Sequence, residues 1–461
     1  MSPVGGGARP VPLVAWDRWL DSLTGAGWSP RSGPGGPGDG NAGDGNADHG
    51  RDSERVAAGE ALGRVTAVPV VARWPSPRTD CAAMDGIAAR AADLTAAPGA
   101  QAAQAAAGHG GTDDGTVRLP AGMFEWIDTG DPMPPSADTV VVRERLLPQA
   151  DGSVVIAPAA GEGAGRGRPA GHEARGRNVR AKGEDFAAGE ILVPAGRRLR
   201  PGDLAAVAAG GHATVTVARR PVVAIIPTGD EIRPVGTVPR FGDIIDTNSL
   251  MLAARCRQLS AVPLVSAVVP DDPDALAVEL RRAAGQADLV LVIAGSSRGR
   301  GDHAAAVLAQ VGGVAVAGVA VRPGHPALLG HAKRPEVGHA DHRAGIAPVI
   351  GLPGYPLATA VIFELFAVPM LAALTGQALV RDRVIARLDR DWASLADVED
   401  WVLVTLTPDA AGGVPLATPA RRGASSTSQL ARAGAWWPIR AGQGAFPSGT
   451  QVEVIPIPGG G

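Results

Sequence analysis

The sequence predicts a multidomain chain of class α/β plus β, in which a central doubly wound α/β domain stands between a β-rich lobe and a small C-terminal β-domain. Three observations carry this. From about residue 221 to 376, continuous apolar runs alternate with stretches of helical spacing, the pattern of parallel strands covered on both faces. Each of those runs ends in a Gly- or Asp-rich turn: TGDE, PDDPD, AGSSRGRGD, RPGHP, GLPGYP. Beyond Thr375-Gly376 the period shortens to strand-like alternation in VIARL, WVLVTL and QVEVIPI.

In chain order, residues 31–50 are dominated by Gly, Pro, Asp and Asn and cannot offset their ordering entropy, which predicts a disordered loop. Residues 52–66 have helical spacing through Val56, Ala57 and Leu62, with Asp52 or Ser53 as N-cap. Residues 1–80 and 178–218 are assigned to an N-terminal linker-like domain, and 81–177 to the β-rich lobe. Short strands are expected at 138–146, 153–157 and 190–193, and loop insertions at 96–116, 159–177 and 332–347. The α/β domain, 219–376, takes strands at 222–227, 264–270, 287–295, 314–321 and 347–351. Its helices fall at 247–259, 273–286, 303–311 and 356–374. Residues 377–461 form the last domain, where Trp436 and Trp437 are expected to be packing residues.

Composition excludes several classes of function. A net charge of −3 argues against nucleic-acid binding by bulk electrostatics, and aromatics at 3% leave no stacking platform for single strands. Cys81 and Cys256 are the only cysteines, so neither a disulfide framework nor a Cys-rich zinc site is available. No apolar run of ~18 residues and no signal-like start is found, so a cytoplasmic protein with no membrane partner is expected. Of 43 basic residues only Lys182 and Lys333 are lysines, so any anion site must rest on arginine, histidine or backbone N–H groups.

The turns carry the candidate chemistry. CAAMDG places Asp85 in a tight turn before a glycine, and IDTGDPMP offers the Thr129 hydroxyl beside prolines. Thr228, Gly229, Asp230 and Glu231 follow a buried strand at the edge where α/β sheets bind ligands, and Asp246 is close enough in sequence to join their carboxylates. Carboxylates converging beside a phosphate usually hold Mg²⁺. Gly295, Ser296, Ser297, Gly299 and Gly301 form a Gly/Ser turn before a helix that opens with Asp302, a backbone nest for phosphate without the Walker lysine. RPGHP supplies Arg322 and His325, and GLPGYP supplies Pro353 and Gly354.

Taken in this order, AMDG (83–86), TGDPMP (129–134), GEDFAAGEILVPAG (183–196), PTGDEI (227–232), DIIDTNS (243–249), PDDPDAL (270–276), GRGD (299–302), RPGHP and GLPGYP closely resemble the molybdopterin molybdenumtransferase family, which includes the bacterial molybdenum cofactor insertase and the E domain of gephyrin. The likeness runs from about residue 52 to 376 and more weakly to 456. It implies an elongated homodimer of four-domain protomers, with a molybdopterin-binding α/β domain of one protomer facing domains of the other. It also implies insertion of molybdate into adenylated molybdopterin with Mg²⁺-dependent release of AMP, and a molybdopterin adenylyltransferase as upstream donor. By position, Asp85, Thr129, Asp185, Glu231, Asp271 and Asp302 fall on the family's functional polar residues, with Glu231 and Asp302 toward Mg²⁺ and Asp271 toward the nucleotide. Arg322 and His325 stand for two family lysines at the molybdate site, and Arg421, Arg422, Ser425 and Ser426 for an arginine and a serine of the last domain. GLPGYP marks a subgroup. The alternative, from another class, is a non-catalytic molybdopterin or cofactor carrier.

Overall fold

The computed structural model describes residues 9–29, 53–94, 117–157, 174–294, 301–335, 345–409, 412–423 and 427–458. The loops expected at 31–50 and 96–116 lie outside these residues, as do 159–173 and 336–344 of the other two.

The centre of the molecule is a six-stranded sheet. Its strands are β1 (Val222–Pro227), β2 (Val262–Val265), β3 (Leu289–Ala294), β4 (Gly312–Ala317), β5 (Leu328–Lys333) and β6 (Ile346–Pro353), in spatial order β2-β1-β3-β6-β5-β4. β2, β1, β3 and β6 are parallel, whereas β5 and β4 are antiparallel additions at one edge. The sequence pattern missed β5, whose last residues fall in the expected 332–347 insertion. β5 returns antiparallel beside β6, with Leu328 opposite Gly351 and Lys333 opposite Ile346.

Helices α1 (Pro12–Gly25), α2 (Thr247–Gln258), α3 (Pro273–Gln286), α4 (Gly301–Val311) and α5 (Pro356–Thr375, with a π-helical turn at Phe363–Ala367) cover both faces. Along β1, Val223 and Ile225 meet α1, α2 and α5, while Ala224 and Ile226 meet α3 and α4. That double burial is why the strand reads as an unbroken apolar run. By composition α5 is long and apolar enough to cross a membrane, contrary to the expectation that no such run exists. Here it is a core helix, with Phe363, Phe366 and Met370 at 1% exposure or less.

α1 belongs to this domain rather than to the N-terminal one. Its stripe of Ala15, Trp19 and Leu23 is fully buried in the central core, and Trp19 Nε1 donates to Gly330 O of β5 at 2.8 Å. Trp19→Ala is expected to lower stability by about 3–5 kcal/mol, measured by chemical denaturation, because it empties a large volume that rigid β5 cannot refill.

The helix expected at 52–66 is absent. Ser53–Ala57 is a strand, paired antiparallel with Thr214–Ala218, and Arg64 locks the pair by bonding Glu54 and, at 2.8 Å, Ala218 O. A ladder to a distant segment overrides the local spacing. The lobe holds two three-stranded sheets, one with Gly86–Ala89 between Phe124–Ile127 and Thr139–Val142. Val179–Arg180 pairs with Cys81–Ala82, so the lobe's first strand is closed by residues beyond 177.

The C-terminal strands Val384–Leu388, Glu399–Thr407, Leu416–Pro419, Ala435–Ile439 and Gln451–Pro456 close on themselves, since Glu399–Thr407 pairs with both Leu416–Pro419 and Ala435–Ile439. The result is a five-stranded barrel filled by residues such as Leu388, Val404, Trp437 and Val454. Trp436 and Trp437 are both buried, as expected of packing residues. A two-residue strand of the central domain, Val321–Arg322, adds to the barrel in parallel with Glu399–Asp400.

Candidate active site

The parallel strands β1, β3 and β6 end together, which places 228–231 and 353–354 on one edge of the sheet with the start of α4. Thr228 is buried and ties two strand ends, since its N–H and Oγ1 both donate to Ile293 O, at 3.1 and 2.9 Å. Gly229 has φ +137°, and a Cβ there would lie 2.9 Å from Glu231 Oε2. The Glu231 carboxylate is therefore folded back over a position that only glycine serves well. Asp230 and Asp271 embrace: Asp271 N donates to Asp230 Oδ1 at 3.2 Å, and Asp230 N donates to Asp271 Oδ2 at 3.4 Å. Asp246 does not join them. Its Oδ1 caps α2 by accepting from Ser249 N at 2.9 Å.

Gly301 and Asp302 open α4. Gly295, Ser296, Ser297 and Gly299 lie outside the described residues, as do Ser425 and Ser426. Among the described residues no three His, Cys, Asp or Glu side chains gather as a metal site.

Asp85 and Thr129 meet in the lobe, where Asp85 Oδ1 accepts from both the N–H and the Oγ1 of Thr129 at 2.7 Å. These bonds, the hydroxyl's first, hold the Asp85 carboxyl below the usual carboxylate range, and Arg143 adds to the effect. The turn needs Gly86, because a Cβ there would lie 1.9 Å from Val141 O. Asp185 stands apart from this pair. It is exposed in a turn whose N–H donates to Ser76 O at 2.9 Å. Among the described residues, the lobe shares neither a sheet nor an apolar cluster with the edge that carries Glu231.

Arg322 and His325 face a cavity of about 640 Å³ between the central domain and the barrel, with Tyr355, Trp392, Arg421 and Arg422 also in its wall. The strand Val321–Arg322 places Arg322 opposite Asp400 in register. Burial, and then Arg9 beside it, hold the His325 imidazole below its ordinary value. At neutral pH it is a neutral hydrogen-bonding group, and the positive charge in the cavity wall is arginine's, with Asp400 beside it.

Three family models match consecutive stretches of the chain: "MoeA N-terminal region (domain I and II)" over 45–211, "Probable molybdopterin binding domain" over 224–373, and "MoeA C-terminal region (domain IV)" over 385–457. The molybdopterin molybdenumtransferase of a Nostoc species is 32% identical over 340 residues, covering 72% of this chain and 71% of that protein. The chain belongs to the molybdopterin molybdenumtransferase family. Another member, from Haemophilus influenzae, is 29% identical over 319 residues, covering 69% of this chain and 72% of its own. A crystal structure of the molybdopterin biosynthesis MoeA protein of Pyrococcus horikosii superposes with TM-score 0.70 at 26% identity, over 98% of this chain and 99% of that one.

Nothing in the local sequence pattern marks Asp400, which the fold brings to the cavity wall. It is the second residue of the barrel strand Glu399–Thr407, 4% exposed, beside the cavity's arginines.

Proposed function

We propose that this enzyme is a transferase of molybdenum cofactor biosynthesis that inserts molybdate into the dithiolene of adenylated molybdopterin and releases AMP. The observation that carries the reading is the pairing of two unlike sites, one at the edge of the central sheet and one between that domain and the barrel. A turn-and-carboxylate edge at the ends of parallel strands suits a phosphorylated heterocycle, and an arginine-walled cavity beside Pro353 suits a tetrahedral oxyanion.

The edge binds and orients the nucleotide: Thr228 and Gly229 fix the turn, and Asp230 and Asp271 brace two loops against each other. Hard oxygen donors are present there, though no closed cage is found among the described residues. That donor set fits Mg²⁺, which is commonly held by one or two carboxylates plus substrate phosphates. Glu231, Asp271 and Asp302 would hold it, and when bound it neutralises phosphate charge. Arg322 and Arg422 carry permanent charge for molybdate, and His325 supplies a hydrogen bond.

Asp85 and Thr129 complete the site from a second copy of the chain, in a cytoplasmic homodimer that receives its substrate from a molybdopterin adenylyltransferase. In support, the segment after Glu231 exposes Val235, Val238, Phe241 and Ile244 to solvent, an apolar stretch suited to burial by a second copy.

The test is AMP release from adenylated molybdopterin by the purified chain, with and without molybdate and Mg²⁺. Release that needs both is expected. Binding without turnover would make the protein a carrier. A second measurement follows from His325. Bound oxyanion favours the imidazolium, but burial sets the free group's value low. Molybdate affinity is therefore expected to tighten as pH falls through the value of the bound imidazole, and to go on tightening to a lower pH than an unburied histidine would allow. His325→Lys should tighten binding at pH 8. Affinity that does not change with pH would remove His325 from the site.

A further inference from the structure

Arg422 reaches the cavity wall restrained on three sides. Its Nη1 donates to Asp400 Oδ2 at 3.2 Å, its Nη2 donates to Ala393 O, and its guanidinium carbon lies 4.6 Å from the centre of the Trp392 ring. Asp400 is itself 4% exposed, and the same Oδ2 accepts from Ser394 Oγ at 3.1 Å. A guanidinium carries five N–H donors in one plane. Two bonds along one side and a ring against one face leave three donors free in a plane that no longer turns.

We propose that Asp400 and Trp392 are positioning residues for oxyanion capture: they aim the Arg422 fork into the cavity so that it takes molybdate with two parallel hydrogen bonds. This rests on the function proposed above. Asp400 has two opposing effects on an incoming anion. Its charge repels, and its grip spares Arg422 the freedom that a loose arginine would lose on binding. The Arg422 side chain is 36% exposed, so solvent screens the repulsion, while the orientation is unaffected by screening. Orientation therefore outweighs charge.

The two effects predict opposite signs, and titration of the full chain with sodium molybdate reads which one holds. Asp400→Asn is expected to weaken molybdate about tenfold. Trp392→Leu, which removes the ring face without touching charge, should weaken it about threefold. Neither should change the affinity for adenylated molybdopterin, a separation that general structural damage would not produce. Asp400→Asn added to Arg422→Lys should cost little more than Arg422→Lys alone, because Asp400 acts through Arg422. Tighter molybdate binding by Asp400→Asn overturns the proposal, as do additive losses in the double variant. If Asp400→Asn does not fold, unchanged affinity in Trp392→Leu overturns it instead. A wild-type chain that takes up no molybdate overturns the oxyanion reading itself, a result separate from the others.

Discussion

Glu231→Ala is expected to cut Mg²⁺-dependent AMP release by two to three orders of magnitude, about the loss seen when one group that stabilises developing charge is removed from an active site. The carboxylate lies folded over Gly229 at the ligand edge, and its loss leaves phosphate charge without a hard oxygen partner on that side. Asp302→Ala, at the first turn of α4, should behave alike. Glu231→Ala should keep the wild-type circular dichroism, because that side chain is not part of the core. Turnover within a few-fold of wild type in both would remove these residues from their assigned roles.

Activity should reappear when two inactive variants are mixed. On the proposed site shared by two copies, Asp85→Ala lacks the lobe's half and Glu231→Ala lacks the sheet's half. After subunit exchange, half of the dimers are hybrids, and each hybrid holds one site with both halves intact. About a quarter of wild-type activity is therefore expected from the mixture, against almost none from either variant alone. No recovery under conditions where exchange is demonstrated, or a monomer by light scattering, would contradict a site shared between copies.

How far such sites can be read before folding depends on how local the deciding interaction is. The helix Pro273–Gln286 is legible to the residue because Asp272 caps it and Pro273 opens it, both within a few residues. The strand Val222–Pro227 is equally plain, being apolar on both faces. Ser53–Ala57 is not, because its partner Thr214–Ala218 lies far along the chain and nothing local outweighs the helical spacing. The ligand edge is legible since strand ends announce themselves by Gly and Asp. The reciprocal bonds of Asp230 and Asp271 are not, because they need β1 and β2 side by side. Asp400 is the extreme case. Residues 392, 400 and 422 come together only when the barrel closes.

The apolar cluster that holds α1 against the central sheet does not stop at the last residue of α5. Trp401, Leu403 and Trp436 of the barrel lie in it with Ile350, Phe363 and Phe366, while the lobe keeps clusters of its own. Beside the barrel's own filling, central domain and barrel thus share an apolar cluster, so loss of packing in either exposes part of the other. Among the described residues the lobe has no such tie, which lowers the cost of local opening there. Gly376 marks a border between two patterns of sequence, but the cooperative unit runs straight across it.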